Sequence, residues 1–121
     1  LKTNRIIIAG SRDFDDWDLL RLKVNYYTFL MEPGSIEIVS GCCGRGADQL
    51  GEEYSILNGL PLKEFPADWR RYGDAAGPIR NKEMASYATH LIAFWNGKSK
   101  GTKNMIEEAT KAGLKVKVVR Y

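Results

Sequence analysis

Two apolar runs decide what this chain can fold into. Ile6, Ile7 and Ile8 follow one another without a polar residue between them, and Leu91 to Trp95 reads the same way after His90. A strand with one wet face alternates apolar and polar residues, whereas an unbroken run suits a strand covered on both faces. These two strands therefore belong in the middle of a parallel sheet. Ile36 to Val39 is a further short strand. Leu62 to Phe65 alternates apolar and charged residues, and Leu114, Val116 and Val118 alternate with lysines. Both alternating segments suit sheet edges.

Helical patterns separate the strands. Trp17, Leu20, Val24, Tyr27 and Met31 recur at spacings of three and four. They predict a helix from an Asp15 or Asp16 cap to about Met31, stopped by Pro33-Gly34. Leu19, Leu22, Tyr26 and Leu30 widen its apolar face, which predicts additional core, with a homodimer surface as the alternative. A second helix runs from about Gly46 to Asn58, with Ala47, Leu50, Tyr54 and Leu57 inward. Pro66 to Gly73 has no period and reads as a loop rich in aromatic and basic residues. A third helix starts at Gly77-Pro78 and runs to about Ala88. The last buries Met105, Ile106 and Ala109 and ends at Gly113. Strand and helix thus alternate over all 121 residues. The prediction is one α/β domain, residues 1–121, built as a Rossmann-like three-layer sandwich. Its five-stranded parallel sheet takes the order 3-2-1-4-5.

In such sheets ligands sit beyond the carboxyl ends of the strands, near the point where the strand order reverses. Four segments end there: Gly10-Ser11-Arg12, Gly41 to Asp48, Pro66 to Trp69, and Asn96 to Thr102. The second, Ser40-Gly41-Cys42-Cys43-Gly44-Arg45-Gly46-Ala47-Asp48, lies between a strand and a helix, as does the fourth, with Gly97, Ser99, Gly101 and Thr102. Glycine turns at helix N-termini present free N–H groups and the positive end of a helix dipole, which favour an anion such as phosphate. Gly41-x-x-Gly44-x-Gly46 is not the G-x-G-x-x-G of NAD dehydrogenases, and Gly97 to Thr102 lacks the G-K-S/T ending of a P-loop. The expected partner is a nucleotide-like or phosphorylated small molecule.

Single side chains in these loops have two readings each. Arg12 can pair with a phosphate or lie free in solvent. Arg80 can clamp phosphate or ribose, or form a salt bridge with Asp48 or Glu83. Ser11 and Thr102 can donate to phosphate or cap turns. Asp48 can bond a ribose hydroxyl or complement the helix dipole. Trp69 and Tyr72 can stack on a base or serve as core or lid aromatics. Cys42 and Cys43 lie near a helix N-terminus, where a thiol can be activated, yet no base accompanies them.

Composition narrows the classes further. The net charge of +3 is mild and fits an anionic small ligand or a weak single-stranded DNA contact. No apolar run approaches a membrane span, so no membrane partner is expected, and no signal peptide is visible. The two cysteines are neighbours, which disfavours a disulfide between them, and His90 is the single histidine. Neither a metal nor a cofactor is expected, and free thiols point to the cytoplasm. The chain opens at Leu1 rather than Met, which leaves room for residues before it.

Taken together, five groups of residues resemble the YspA-like proteins of the SLOG superfamily, formerly a domain of unknown function in bacteria and phages. They are Gly10-Ser11-Arg12-Asp13-Phe14; Ser40-Gly41 with Gly46-Ala47-Asp48; Pro66-Ala67-Asp68-Trp69 with Tyr72-Gly73; Ala76-Gly77 with Arg80-Asn81 and Met84; and Gly97 with Gly101-Thr102. The likeness spans nearly the whole chain. It implies a Rossmann-like fold and a nucleotide-derived ligand, with Asp68, Trp69, Arg80 and Asn81 joining the glycine loops at the site. The superfamily also holds phosphoribohydrolases that activate cytokinins and DNA-processing proteins that bind single strands. In those hydrolases an arginine, matched here by Arg80, works with a glutamate three residues after the Gly-Thr pair. That position is Met105 here. A thioether cannot stabilise an oxocarbenium-like charge, so the enzyme alternative to a binding module, a nucleotide-processing hydrolase, needs Asp13, Asp48 or Asp68 to supply the carboxylate from another loop. Single-stranded DNA binding through Trp69, Arg70, Arg71 and Tyr72 is the third reading.

Overall fold

A computed structural model describes residues 2–121. In chain order the elements are β1 (Asn4–Gly10), α1 (Trp17–Thr28), a 3-10 turn at Pro33–Ser35, β2 (Ile36–Ser40), α2 (Gly46–Leu57) and β3 (Leu62–Glu64). There follow α3 (Trp69–Tyr72), a 3-10 turn at Gly73–Ala75, α4 (Ala76–Tyr87), β4 (His90–Trp95), α5 (Lys100–Lys111) and β5 (Lys115–Arg120). The sheet is parallel throughout and ordered β3-β2-β1-β4-β5, as the burial of its strands predicts. Gly10 pairs with Phe94 and Ser40 with Glu64, so the carboxyl ends of four strands finish at one edge of the sheet.

Successive residues of the central strands feed two separate cores, one on each face. Ile6, Ile8, Ile38, Ile92 and Phe94 pack with Leu20, Val24, Ala47 and Tyr54 of α1 and α2. Ile7, Ala9, Val39, Leu91 and Ala93 pack with Met84, Ala85, Met105 and Ala109 of α4 and α5. Gly51 is the point of closest approach of α2 to the sheet: a Cβ there would lie 2.8 Å from Ile8. Among the described residues no helix is long and apolar enough to cross a membrane.

The helices depart from the sequence reading in six places. α1 ends at Thr28 rather than Met31, because Pro33 holds Glu32 extended and the chain must leave the helix in the turn before it. Leu22, Tyr26 and Leu30 do not extend the core; they are exposed, at 61%, 73% and 92%. Leu57 also faces out, because the buried residues of α2, Ala47, Asp48, Gly51, Tyr54 and Ser55, define a face about a third of a turn away. Trp69–Tyr72 is one turn of helix rather than loop, capped by the Asp68 carboxylate on the Arg71 N–H at 3.1 Å. α4 begins one residue early, at Ala76, and α5 begins at Lys100, which places Gly101 and Thr102 in its first turn.

Candidate functional site: a crevice at the switch point of the sheet

A crevice of about 540 Å³ opens beyond the carboxyl ends of the strands. All four predicted segments reach it: Gly10 and Arg12 after β1, Gly41 and Asp48 around the start of α2, Trp69 after β3, and Ser99, Gly101 and Thr102 after β4. α4 adds Arg80 and Asn81. A smaller depression of about 410 Å³ shares Arg12, Ser99 and Gly101 with it and brings in Ser11. The remaining predicted residues lie off the cavity wall. Asp68 is spent on its helix cap. Gly97 faces the Arg120 guanidinium. Gly44 and Gly46 shape the turn behind the wall.

Gly46 shows why that turn needs glycine. Its φ is +70°, and an added Cβ would lie 2.5 Å from the Ser11 carbonyl oxygen. The loop after β2 therefore rests directly on the loop after β1. Gly41 is close-packed for a different reason: its missing side chain leaves room for the Arg80 guanidinium, whose Nη1 would lie 2.7 Å from a Cβ. Arg80 Nη1 donates to the Gly41 carbonyl oxygen. Its Nε donates to Asn81 Oδ1 at 3.0 Å, and Asn81 Nδ2 donates to Asn104 Oδ1 at 2.9 Å and to the Gly101 carbonyl at 3.3 Å. One chain of hydrogen bonds thus runs from the loop after β2, through α4, to the first turn of α5. Among the described residues Arg80 forms no salt bridge to Asp48 or Glu83; its structural partners are the Gly41 carbonyl and Asn81.

Asp48, in the first turn of α2, is the single buried charged side chain among the described residues, at 8% exposure. Its Oδ2 accepts the Cys43 N–H at 3.3 Å. Burial pushes its pKa up to about 6, against the opposing pull of Arg80, the Cys43 N–H and Arg12, with Glu52 adding to the rise. The carboxyl group titrates close to neutrality inside the crevice.

The first turn of α5 is set up by side chains before it. Asn96 Oδ1 accepts the N–H groups of Lys98 and Ser99 at 2.8 and 2.9 Å. Ser99 Oγ accepts the Thr102 N–H at 3.3 Å, and the Ser99 carbonyl accepts the Lys103 N–H at 3.1 Å. The N–H groups of Lys100 and Gly101 have no partner among the described residues, and both residues line the crevice. The hydroxyls predicted to meet a ligand are engaged internally: Ser11 Oγ accepts the Asn96 N–H at 3.3 Å, and Thr102 Oγ1 lies 3.0 Å from Ser99 Oγ.

Cys42 is held as a thiol. Its thiol donates to Glu64 Oε2 at 3.3 Å, and burial with the charges of Glu64 and Glu52 pushes its pKa up to about 12. Ligand atoms of Cys42, Glu52 and Glu64 lie within 4.8 Å of one another. Cys42 already donates to Glu64, and Glu52 Oε2 accepts from Ser40 Oγ at 2.6 Å, so all three side chains have partners within the chain. The sequence reading missed Asp74, Gly77, Pro78 and Asn104 on the cavity wall. Gly77 and Pro78 on α4 and Asn104 on α5 reach it through the packing of those two helices, and Asp74 through the 3-10 turn that leads into α4; no local pattern announces either.

An open parallel sheet with a crevice at its switch point defines a Rossmann-like α/β protein. The model of the YspA, cpYpsA-related SLOG family matches residues 4–72. The Gene 61 protein of Mycobacterium phage D29 is 32% identical over 124 residues, covering 93% of each chain. The chain belongs to this SLOG family. Its fold is also similar to that of the DNA processing protein A (DprA) of Streptococcus pneumoniae. The TM-score is 0.73 at 17% sequence identity over 97% of this chain, which spans about half the length of that protein.

Proposed function

We propose that the crevice binds a nucleotide or nucleotide-derived ligand. The observation that carries this reading is the pair of open N–H groups at Lys100 and Gly101, at the positive end of a 12-residue helix, facing a cavity that also holds Arg80 and Arg12. Backbone donors, a helix dipole and planar guanidiniums together are a phosphate receptor. Trp69 is half exposed on the wall and offers a face for a base. Met105 fills the position of the hydrolase glutamate and is buried at 2% exposure, so the reading is binding without N-glycosidic turnover.

A second reading is single-stranded DNA. Trp69 and Tyr72 are 50% and 40% exposed beside Arg70 and Arg71, and the structural neighbour is by name a DNA processing protein. One set of measurements separates the two. Thermal shifts with nucleoside mono-, di- and triphosphates are expected to rise by several degrees at about a hundred times Kd, equivalent to ~2.7 kcal/mol, and to vanish in Arg80→Ala with the fold intact by circular dichroism. DNA binding instead gives an oligonucleotide affinity that falls steeply with salt. No shift with any nucleotide contradicts the first reading.

A further inference from the structure

We infer that Asp48 reads the ribose diol of the bound nucleotide, and that its charge turns the phosphate away from α2 and toward the first turn of α5. This deepens the binding reading above and rests on it. Asp48 is more than nine-tenths buried and lines the crevice. One carboxylate oxygen accepts the Cys43 N–H, and the other, Oδ1, accepts nothing from the described residues. Arg5 Nε is the one sealed, unpartnered side-chain polar atom among the described residues, so Oδ1 keeps contact with solvent, and on the crevice wall its lone pairs are open to a donor from outside the chain.

The surrounding charges select that donor. Arg80 faces Asp48 from α4, Arg12 from the loop after β1, and Glu52 from its own helix. An ammonium group entering here meets two guanidiniums. A phosphate meets the carboxylate itself, which already occupies the N–H of Cys43 before α2. A neutral donor meets neither objection, and among the neutral donors of a nucleotide the ribose diol is the pair common to all four bases, with two hydroxyls for one carboxylate. The open N–H groups of Lys100 and Gly101 lie on the wall of the same cavity and remain for the phosphate. The ligand thus lies across the crevice, sugar toward α2 and phosphate toward α5.

The test is calorimetric titration of the wild-type protein and of Asp48→Asn with the four ribonucleoside 5′-diphosphates and their 2′-deoxy counterparts. A hydrogen bond to a buried carboxylate predicts that the wild type prefers the ribose form of its best ligand by roughly tenfold or more. Asp48→Asn is expected to reduce that preference to about threefold or less, while the deoxy form binds as well as before or better. Equal wild-type affinity for ribose and deoxyribose forms overturns the inference, and this comparison needs no variant. An Asp48→Asn change that weakens both forms alike overturns it too. Binding of none of the eight compounds overturns the nucleotide reading and the inference together.

Discussion

A carboxyl group that titrates near pH 6 inside a protein is a cost carried by the fold. The unfolded value for Asp48 is 3.8 and the folded one about 6, so between them the folded state binds more protons than the unfolded. Stability from this group is therefore greatest below pH 3.8, falls as pH rises toward 6, and stays lower above it. Asp48→Asn removes that cost. It is expected to raise stability by roughly 2–3 kcal/mol at pH 7.5, with the gain shrinking toward zero at pH 4, read by urea unfolding at both values. A loss of stability at pH 7.5 marks Asp48 as structural. Cys42 makes the opposite kind of prediction: with its thiol held protonated, it is expected to escape iodoacetamide at pH 8 in the native protein and to react on unfolding, as read by peptide mass spectrometry. At this scale the sequence exposed the loop residues well. Gly41, Asp48, Arg80, Asn81 and Gly101 stand in the crevice. It left both readings open for Ser11 and Thr102: the Ser11 bond depends on the distant loop that brings Asn96 to it, whereas the Thr102 bond to Ser99 is local to the cap of α5.

Elements were legible in proportion to their periodicity. β1 and β4 announce themselves by unbroken apolar runs, and α5 by Met105, Ile106 and Ala109. The single turn of α3 could not, since four residues carry no period; only Asp68 before Trp69 marks it, as a cap. The contact between the first two loops belongs to this scale. Gly46→Ala forces a side chain into a φ of +70° and against the Ser11 carbonyl, and is expected to cost more than ~1 kcal/mol in chemical denaturation. Gly34→Ala, where a Cβ meets nothing within 4 Å and φ is not positive, serves as the control and is expected to change stability little.

For the whole molecule, sheet order followed from burial alone: strands apolar on both faces must be central, and right-handed crossovers then allow few arrangements. Helix orientation was less legible. The excess apolar residues of α1 read as additional core, and the fold instead leaves Leu22, Tyr26 and Leu30 outside, with Ile56 and Leu57 of α2 exposed on the same side of the sheet. The crevice lies at the opposite reach of logic: it is made by four loops distant in sequence, and its unity appears only when the strand ends align. The most direct test of that unity is an amide chemical-shift map of the ¹⁵N-labelled protein titrated with a ribonucleoside diphosphate. Binding across the crevice predicts saturable shifts in Lys100 and Gly101, in Cys43 and Asp48, and in the Arg80 side-chain Nε–H. Shifts confined to α1 and β5, or none at millimolar ligand, contradict it.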